Sequence, residues 1–405
     1  MAHPVTSHPI FIYSPVFDNY RFSHDHPFDP IRIRLTYELL RASGILQDHH
    51  LVDPREASVA ELLLAHREDY VEFVKTKGST GENIYCKEAN RFGLCTEDTP
   101  TFFGMHHSAA TITGGTLLGA KHVLEGVNNH ALNLSGGLHH ATSGKASGFC
   151  VYNDLNVAIA YIRKHTDLRI LYIDTDAHHG DGVQFHFYDD PMVCTLSIHE
   201  TGRYLFPGTG SVRERGNGKG YGSSFNIPLD AYTEDESFQY VLENSLYIVA
   251  EHFKPDIIVS QHGADCHYLD HMSHMSLTMD SFRFIPKIIH KIAHEYCQGR
   301  WLATGGGGYN AYDVVPRAWA LVWKEMADVP SGQVPDELPG SYLSLVRQWT
   351  DEPICPTWMD HGKDYNSIPR REEISDKNKK SLIDAMYAIN SGQIGNNFFA
   401  NRIVE

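Results

Sequence analysis

The stretch that decides the fold reads ILYIDTDAHHGDG, residues 170–182, in which a short apolar run leads into a dense polar one. The apolar run has the composition of a buried strand. Residues two apart at a strand end point the same way, so Asp176 and His178 can present an oxygen and an imidazole nitrogen to one ion. A carboxylate from another strand end, Asp265, would complete three ligands and leave one position open for water, as in catalytic zinc sites. Mixed oxygen and nitrogen ligands also suit ferrous iron or manganese, so the pattern predicts a metal without fixing its identity.

Histidine pairs alone are weak evidence in a chain with 26 histidines. The pairs at 49–50 and 106–107 have no glycine and carboxylate frame, so we expect them to be solvated or structural. The frame around His178 is different, because several carboxylates and imidazoles at one buried strand end destabilise a fold unless an ion or hydrogen bonds compensate them.

Short β-rich runs alternate with longer segments of helical periodicity, which predicts a mainly parallel sheet covered by helices. The predicted strands are Ile10–Tyr13, Ala131–Leu134, Ile170–Ile173, Val193–Leu196, Ile257–Val259 and Trp301–Ala303. The predicted helices are Pro30–Ser43, Thr113–Glu125, Leu155–Lys164, Asp235–Phe253 and Met279–Tyr296. Residues 1–325 show no linker and are expected to form one domain, with 326–405 as a polar C-terminal extension that packs on it and ends in a helix near Asn378–Ile389.

Polar or glycine-rich loops follow five of these strands, and the carboxyl ends of parallel strands share the edge where ligands bind. His139 and His140 follow Gly136-Gly137 on that edge. A neutral imidazole can take a proton from water, and an imidazolium can deliver one to a leaving amine. Asp174 and Asp181 could each hold one imidazole in its tautomer.

The glycine run 305–308 ends in Tyr309. No Gly-Lys-Ser/Thr follows, and the chain has no complete P-loop or Gly-x-Gly-x-x-Gly motif, which argues against nucleotide binding. A phenol carried over the metal on a flexible glycine run can stabilise the oxyanion of a tetrahedral intermediate.

The composition limits the kinds of partner that the protein is expected to bind and the compartment in which it is expected to lie. The 405 residues are 42% hydrophobic and carry a formal charge of −16, which excludes disorder and argues against nucleic acid or an anionic membrane as the main partner. A basic substrate is favoured instead. Seven scattered cysteines without C-x-x-C indicate reduced thiols, and neither a signal peptide nor a long apolar span is evident, so the cytoplasm is expected.

Six motifs in order resemble the histone deacetylase family of the arginase/deacetylase superfamily. They are GGLHHA (136–141), GFC (148–150), DTDAHHGDG (174–182), FPGTG (206–210), GAD (263–265) and GGGGY (305–309). With HPF (26–28) and LCTEDTP (94–100), the chain is most similar to the bacterial acetoin-utilisation branch of class I deacetylases. The resemblance covers about residues 10–325 and implies a single-domain, open parallel sheet of about eight strands with helices on both faces.

The resemblance also implies a role for each site residue. The family's metal ligands, usually of zinc, match Asp176, His178 and Asp265. Its tandem histidines match His139 and His140, and their carboxylate partners match Asp174 and Asp181. The tyrosine that polarises the acetyl carbonyl matches Tyr309. The five implied substrate contacts are Asp98 and Met272 at the rim and Gly148, Phe149 and Phe206 along the acyl-lysine stem. Arg32 matches an arginine near the acetate exit route. A potassium ion is implied at Asp174, Asp176, His178, Ser197 and Ile198.

The expected activity is therefore hydrolysis of N6-acetyl-lysine in proteins to lysine and acetate. An acetylpolyamine deacetylase and a non-catalytic acetyl-lysine binder are the alternatives. The branch suggests acetyl-coenzyme A synthetase as a target, although no residue here encodes that partner or an oligomeric state. His262 departs from the usual class I residue before GAD, and we expect a titrating group there to shift the pH profile.

Overall fold

Eight parallel strands form one sheet in the computed structural model, which describes residues 8–84, 86–330, 332–361 and 368–390. The strands are β1 (Ile10–Ile12), β2 (Leu51–Val52), β3 (His130–Asn133), β4 (Ile170–Asp174), β5 (Val193–Glu200), β6 (Ser224–Leu229), β7 (Ile257–Gln261) and β8 (Trp301–Thr304). Their order across the sheet is β2-β1-β3-β8-β7-β4-β5-β6. The loops after β3, β8, β7 and β4 are therefore neighbours at one edge.

Twelve α-helices accompany the sheet in the described residues. They are α1 (Ile31–Ala42), α2 (Val59–Leu62), α3 (Glu68–Thr80), α4 (Lys87–Arg91), α5 (Met105–Leu124), α6 (Asp154–His165), α7 (Asp181–His186), α8 (Asp235–Phe253), α9 (Met279–Cys297), α10 (Val314–Met326), α11 (Gly340–Val346) and α12 (Arg371–Asn390). Every residue of β3, β4, β5, β7 and β8 is buried. Because side chains alternate between the faces of a strand, both faces of the sheet must be covered.

The predicted strands and four of the predicted helices are confirmed, α8 to the residue. Two helices begin earlier than predicted, α5 at Met105 and α12 at Arg371. Two strands were not predicted. Both lie at the ends of the sheet, where β2 has only two residues and β6 contains Pro228, a residue that a sheet tolerates at its edge.

The residues that follow Met326 contact the sheet domain in several places. Asn378 on α12 is buried and accepts a hydrogen bond from the Asp230 N–H at 3.0 Å. Asp360 binds the buried guanidinium of Arg317 at 2.8 Å. The division of the chain near residue 325 stays a prediction. Among the described helices, none is long and apolar enough to cross a membrane.

Candidate active site

Two carboxylates and one imidazole meet where the loops after β4 and β7 converge. His178 Nδ1 lies 3.1 Å from Asp176 Oδ1 and 3.0 Å from Asp265 Oδ2. One ligand atom from each of the three lies within 4.8 Å of the other two, and all three residues are buried. Gly307 makes room for the group, because a Cβ there would lie 2.1 Å from Asp265 Oδ2. The three residues that the sequence analysis proposed as metal ligands are therefore in contact in the fold.

The remaining carboxylate oxygens of this trio are already bonded. Asp176 Oδ2 accepts from Gln261 Nε2 at 2.6 Å and from the Gly307 N–H at 2.7 Å, and Asp265 Oδ1 accepts from the Ala177 N–H at 2.9 Å. Burial and the charge of Asp176 raise the pKa of Asp265 to about 7. The trio therefore presents two carboxylates and one imidazole around one point, and this donor set fits a divalent cation such as Zn²⁺ or Fe²⁺.

The tandem histidines form a chain with the two predicted aspartates. His139 Nδ1 lies 2.8 Å from Asp174 Oδ2, His140 Nδ1 lies 2.7 Å from Asp181 Oδ1, and the two Nε2 atoms are 3.0 Å apart. Burial opposes a charge on His139, but Asp174 and Asp176 outweigh it and raise the pKa of His139 to about 9. Burial and the charge of His139 lower the pKa of His140 to about 4. The pKa values of the two imidazoles are therefore shifted in opposite directions.

Asp154, at the start of α6, holds the loop that carries these histidines. Its carboxylate accepts hydrogen bonds from the N–H groups of Gly137 at 3.0 Å and Leu138 at 2.9 Å and from the Thr116 hydroxyl at 2.6 Å. The sequence analysis missed this residue. Its position directly after Asn153, whose side chain caps the helix, is typical of a helix start and carries no signal of a site.

The glycine run after β8 positions Tyr309, and two further residues fix it. Asp270 Oδ2 accepts from the Tyr309 N–H at 2.6 Å and from the Asn310 N–H at 3.2 Å. Arg32, buried against Phe28, donates from Nη1 to the Gly308 carbonyl at 2.7 Å. Burial and the charges of Asp265 and Asp176 raise the pKa of Tyr309 well above its usual value, so its hydroxyl remains a donor. Asp270 was not predicted, because it acts only through backbone N–H groups.

A pocket of about 120 Å³ leads to these groups. Its walls include all five predicted substrate contacts, and His140, His178 and Tyr309 complete them; the five are Asp98, Gly148, Phe149, Phe206 and Met272. Gly148 and Phe149 both adopt positive φ, at 50° and 67°. A Cβ at Gly148 would lie 2.4 Å from His140 Cδ2, so this turn brings the backbone against the imidazole. A smaller cavity of about 20 Å³ continues behind Tyr309, between His139 and Phe28.

Other predicted residues lie near the site without lining the pocket. Ser197 and Ile198 belong to β5, and Ser197 pairs in register with Asp174. His179 turns to Thr209 Oγ1 at 2.8 Å. His262 is buried beside Ser260 Oγ at 2.8 Å, and burial lowers its pKa to about 3. It therefore stays neutral near pH 7, and the expectation that it titrates in the working range is wrong.

The pairs at 49–50 and 106–107 also lie outside the pocket walls. His107 Nδ1 lies 2.6 Å from Glu56 Oε2, and His106 Nδ1 lies 2.9 Å from the Tyr152 hydroxyl. His49 is exposed.

A parallel sheet whose strand ends bring a buried Asp-His-Asp trio against two aspartate-paired histidines defines a hydrolase of the arginase/deacetylase fold. Comparisons with known proteins agree. A model of the histone deacetylase domain matches residues 26–326, and the chain belongs to the histone deacetylase family. It is a deacetylase, and members of this family depend on a metal.

The relatives define the branch. The chain is 50% identical to the acetoin utilization protein AcuC of Bacillus subtilis (strain 168) over 384 residues, which cover 95% of this chain and 98% of that protein. It is 44% identical to AcuC of Staphylococcus xylosus over 91% of this chain and 95% of the relative. The crystal structure of an HDAC homolog from Aquifex aeolicus superimposes with a TM-score of 0.81 at 31% identity, over 92% of this chain and all of that one. A structure of an HDAC homolog complexed with SAHA gives the same values.

Proposed function

We propose that the protein hydrolyses N6-acetyl-lysine in proteins, releasing lysine and acetate. The observation that carries the proposal is the pocket, whose walls include two phenylalanine rings, the imidazole of His140, the phenol of Tyr309 and His178 of the Asp-His-Asp trio. The Phe206 ring lies 4.9 Å from the His140 ring, and the Phe149 ring lies 5.8 Å from the Tyr309 ring. Such walls suit an unbranched aliphatic stem whose reacting group must reach the base of the pocket.

His140 is assigned as the general base because it lines the pocket, whereas His139 borders only the smaller cavity behind it. His140 takes a proton from the attacking water, whose oxygen bonds to the acetyl carbon, and returns a proton to the lysine nitrogen as the C–N bond breaks. The products are acetate and a free amine. Asp181 holds the His140 ring from the Nδ1 side, and His139 with Asp174 contributes mainly electrostatically.

Tyr309 donates its hydroxyl proton in a hydrogen bond to the carbonyl oxygen as negative charge develops there. A cation held by Asp176, His178 and Asp265 would polarise the same carbonyl and make water a better nucleophile. We propose Zn²⁺ for this position, with Fe²⁺ as the alternative that the ligand set also accepts. We further propose K⁺ at Asp174, Asp176, His178, Ser197 and Ile198. Asp174 is the last residue of β4 and pairs in register with Ser197 of β5, and Asp176 and His178 follow in the loop after β4.

The substrate contacts divide by chemistry. Phe149 and Phe206 enclose the methylenes, Gly148 leaves room for the stem, and Met272 contributes an apolar rim. Asp98 is exposed at the mouth, where its carboxylate can accept hydrogen bonds from the substrate backbone. The formal charge of −16 favours a basic polypeptide. Arg32 is proposed to serve the acetate route, since it touches Phe28, a wall of the small cavity.

The seven cysteines are all free thiols, which supports a reducing compartment, and we propose the cytoplasm. The partner class is an acetylated protein. Acetyl-coenzyme A synthetase is the specific target that the branch suggests, and the −16 charge argues against nucleic acid and anionic membranes.

The test is a panel of acyl-lysine peptides and acetylated polyamines, assayed after chelation and again after refilling with Zn²⁺ or Fe²⁺. We expect chelation to abolish turnover, one of the two ions to restore it, and acetyl-lysine peptides to exceed acetylspermidine in kcat/KM. A higher kcat/KM for acetylspermidine would overturn the protein substrate. Binding of acetyl-lysine peptides without turnover under every metal condition would instead identify a non-catalytic binder.

A further inference from the structure

Three histidines form a second cluster at the opposite edge of the sheet from the active site. His130 is the first residue of β3, and His290 and His294 lie one helical turn apart on α9. One ring nitrogen from each lies within 4.8 Å of the other two. Among the described residues, this cluster and the Asp176-His178-Asp265 trio are the only groups of three or more metal-ligating side chains at such distances.

Two ring nitrogens of this cluster lie within hydrogen-bond distance, and the third ring packs beside them. His290 Nε2 and His294 Nε2 are 3.0 Å apart, and the His130 ring lies 4.8 Å from the His290 ring and 5.3 Å from the His294 ring. Three imidazole nitrogens on one tetrahedral zinc ion, each about 2.0 Å from it, would be separated by about 3.3 Å. The nitrogens of the cluster, all within 4.8 Å of one another, approach that spacing.

His130 supplies an independent sign that a ligand is missing. The residue is buried, with 8% of its surface exposed, and its Nε2 has no hydrogen-bond partner among the described residues. An unsatisfied buried nitrogen costs free energy, and native proteins rarely tolerate one without a reason.

The surroundings resemble those of functional metal sites. Glu325 Oε1 lies 3.1 Å from His290 Nδ1, so the carboxylate orients the ring and leaves Nε2 to face the cluster. Residues four apart on a helix share one face, which suits His290 and His294 as paired ligands. Both border a surface groove of about 370 Å³ that also contains Glu325, so an ion has a path from solvent.

We propose that His130, His290 and His294 form a second metal site, selective for divalent ions that prefer imidazole, with Zn²⁺ as the ion of first choice. Three nitrogen ligands leave a fourth position for water. The bound ion would fasten α9 to the start of β3, the strand whose other end leads to the tandem histidines.

Metal stoichiometry after chelation, reloading with Zn²⁺ and gel filtration tests the proposal. We expect two equivalents per chain in the wild type and one in His294→Gln, whose side chain is exposed and whose replacement should not disturb the fold. His252→Gln, an exposed histidine on the neighbouring helix α8, is the matched control and should retain two. Equal stoichiometry in His294→Gln and wild type would overturn the site.

A thermal measurement separates this site from the catalytic one. Zn²⁺ should still raise the Tm of Asp176→Asn, because the histidine cluster remains, and should no longer do so in the Asp176→Asn/His294→Gln double variant. Zn²⁺-loaded His294→Gln should keep the deacetylase activity of the wild type. A Tm response that is the same in the single and double variants would refute the proposal.

Discussion

The pocket walls allow the effect of one substitution, Phe206→Ala, to be worked out in advance. Phe206 and Phe149 both line the pocket, and Phe206 is 42% exposed, so its loss should leave the core intact. Enclosing the four methylenes of lysine is worth about 3 kcal/mol at about 0.8 kcal/mol per CH₂. Removing one of two walls should forfeit about half of that, about 1.6 kcal/mol, or about 15-fold in kcat/KM.

The assay is steady-state deacetylation of an acetyl-lysine peptide. Because the stem is enclosed in both the bound substrate and the transition state, KM should rise while kcat changes little. Phe206→Tyr keeps the ring and should restore most of the loss. Phe103→Ala removes a phenylalanine that is 78% exposed and is absent from the pocket walls, so it should match the wild type. A loss confined to kcat, or a change under about threefold, would refute the enclosure argument.

Three further outcomes follow from the site and the core. His140→Ala and Tyr309→Phe should each lower kcat by about 10²-fold or more while the bound metal, measured by elemental analysis, is unchanged; undiminished activity in either variant contradicts its role. Asp270→Asn should lower kcat about tenfold with the metal retained, because the acceptor of the Tyr309 N–H loses its charge; a loss of metal instead would place Asp270 among the structural supports of the trio. His66 is buried and accepts a hydrogen bond from the Asn153 N–H at 3.0 Å, and burial lowers its pKa to about 3. Below about pH 6.5, therefore, only the unfolded chain gains a proton at His66. The free energy of unfolding should fall by about 1.4 kcal/mol for each unit by which the pH is lowered. Denaturant unfolding between pH 7 and 5 should show this slope reduced in His66→Gln, and equal slopes would exclude His66 as its source.

The central strands could be predicted because they are buried on both faces and therefore nearly continuously apolar. For a similar reason, the sequence did not predict the first two turns of α5. That helix is buried around most of its circumference from Ser108 to Leu117, so it lacks the periodicity that marks a half-exposed helix. At the other extreme, α12 opens with charged residues, and its first two turns contain a single apolar residue, Ile374. Periodicity identifies elements with one buried face, and both helices depart from that condition.

The predicted site depended on a topological rule. Asp265 lies far along the chain from Asp176, and the two meet because β7 and β4 are neighbours whose carboxyl ends share an edge. Asp154 and Asp270 were not predicted because their carboxylates bind backbone N–H groups. Such contacts do not depend on which residue carries the N–H group, so the sequence does not mark them. Supporting residues of this kind can be identified only from the structure of the loops that they hold.

The histidine content of the chain divides by the partners that surround each ring. At His139 the charges of Asp174 and Asp176 outweigh burial and the pKa rises to about 9, whereas at His140 burial and the charge of His139 outweigh Asp181 and the pKa falls to about 4. Where burial has no such compensation, as at His130 and His262, the pKa falls to about 3 and the ring stays neutral. His262 satisfies its nitrogen with the Ser260 hydroxyl, and His130 leaves Nε2 unpaired. An unpaired buried nitrogen alone does not mark a ligand position, because His66 Nδ1 is also without a partner among the described residues. The second cluster differs from His66 because three imidazoles bring ring nitrogens within 4.8 Å of one another, although composition counts all of these histidines alike.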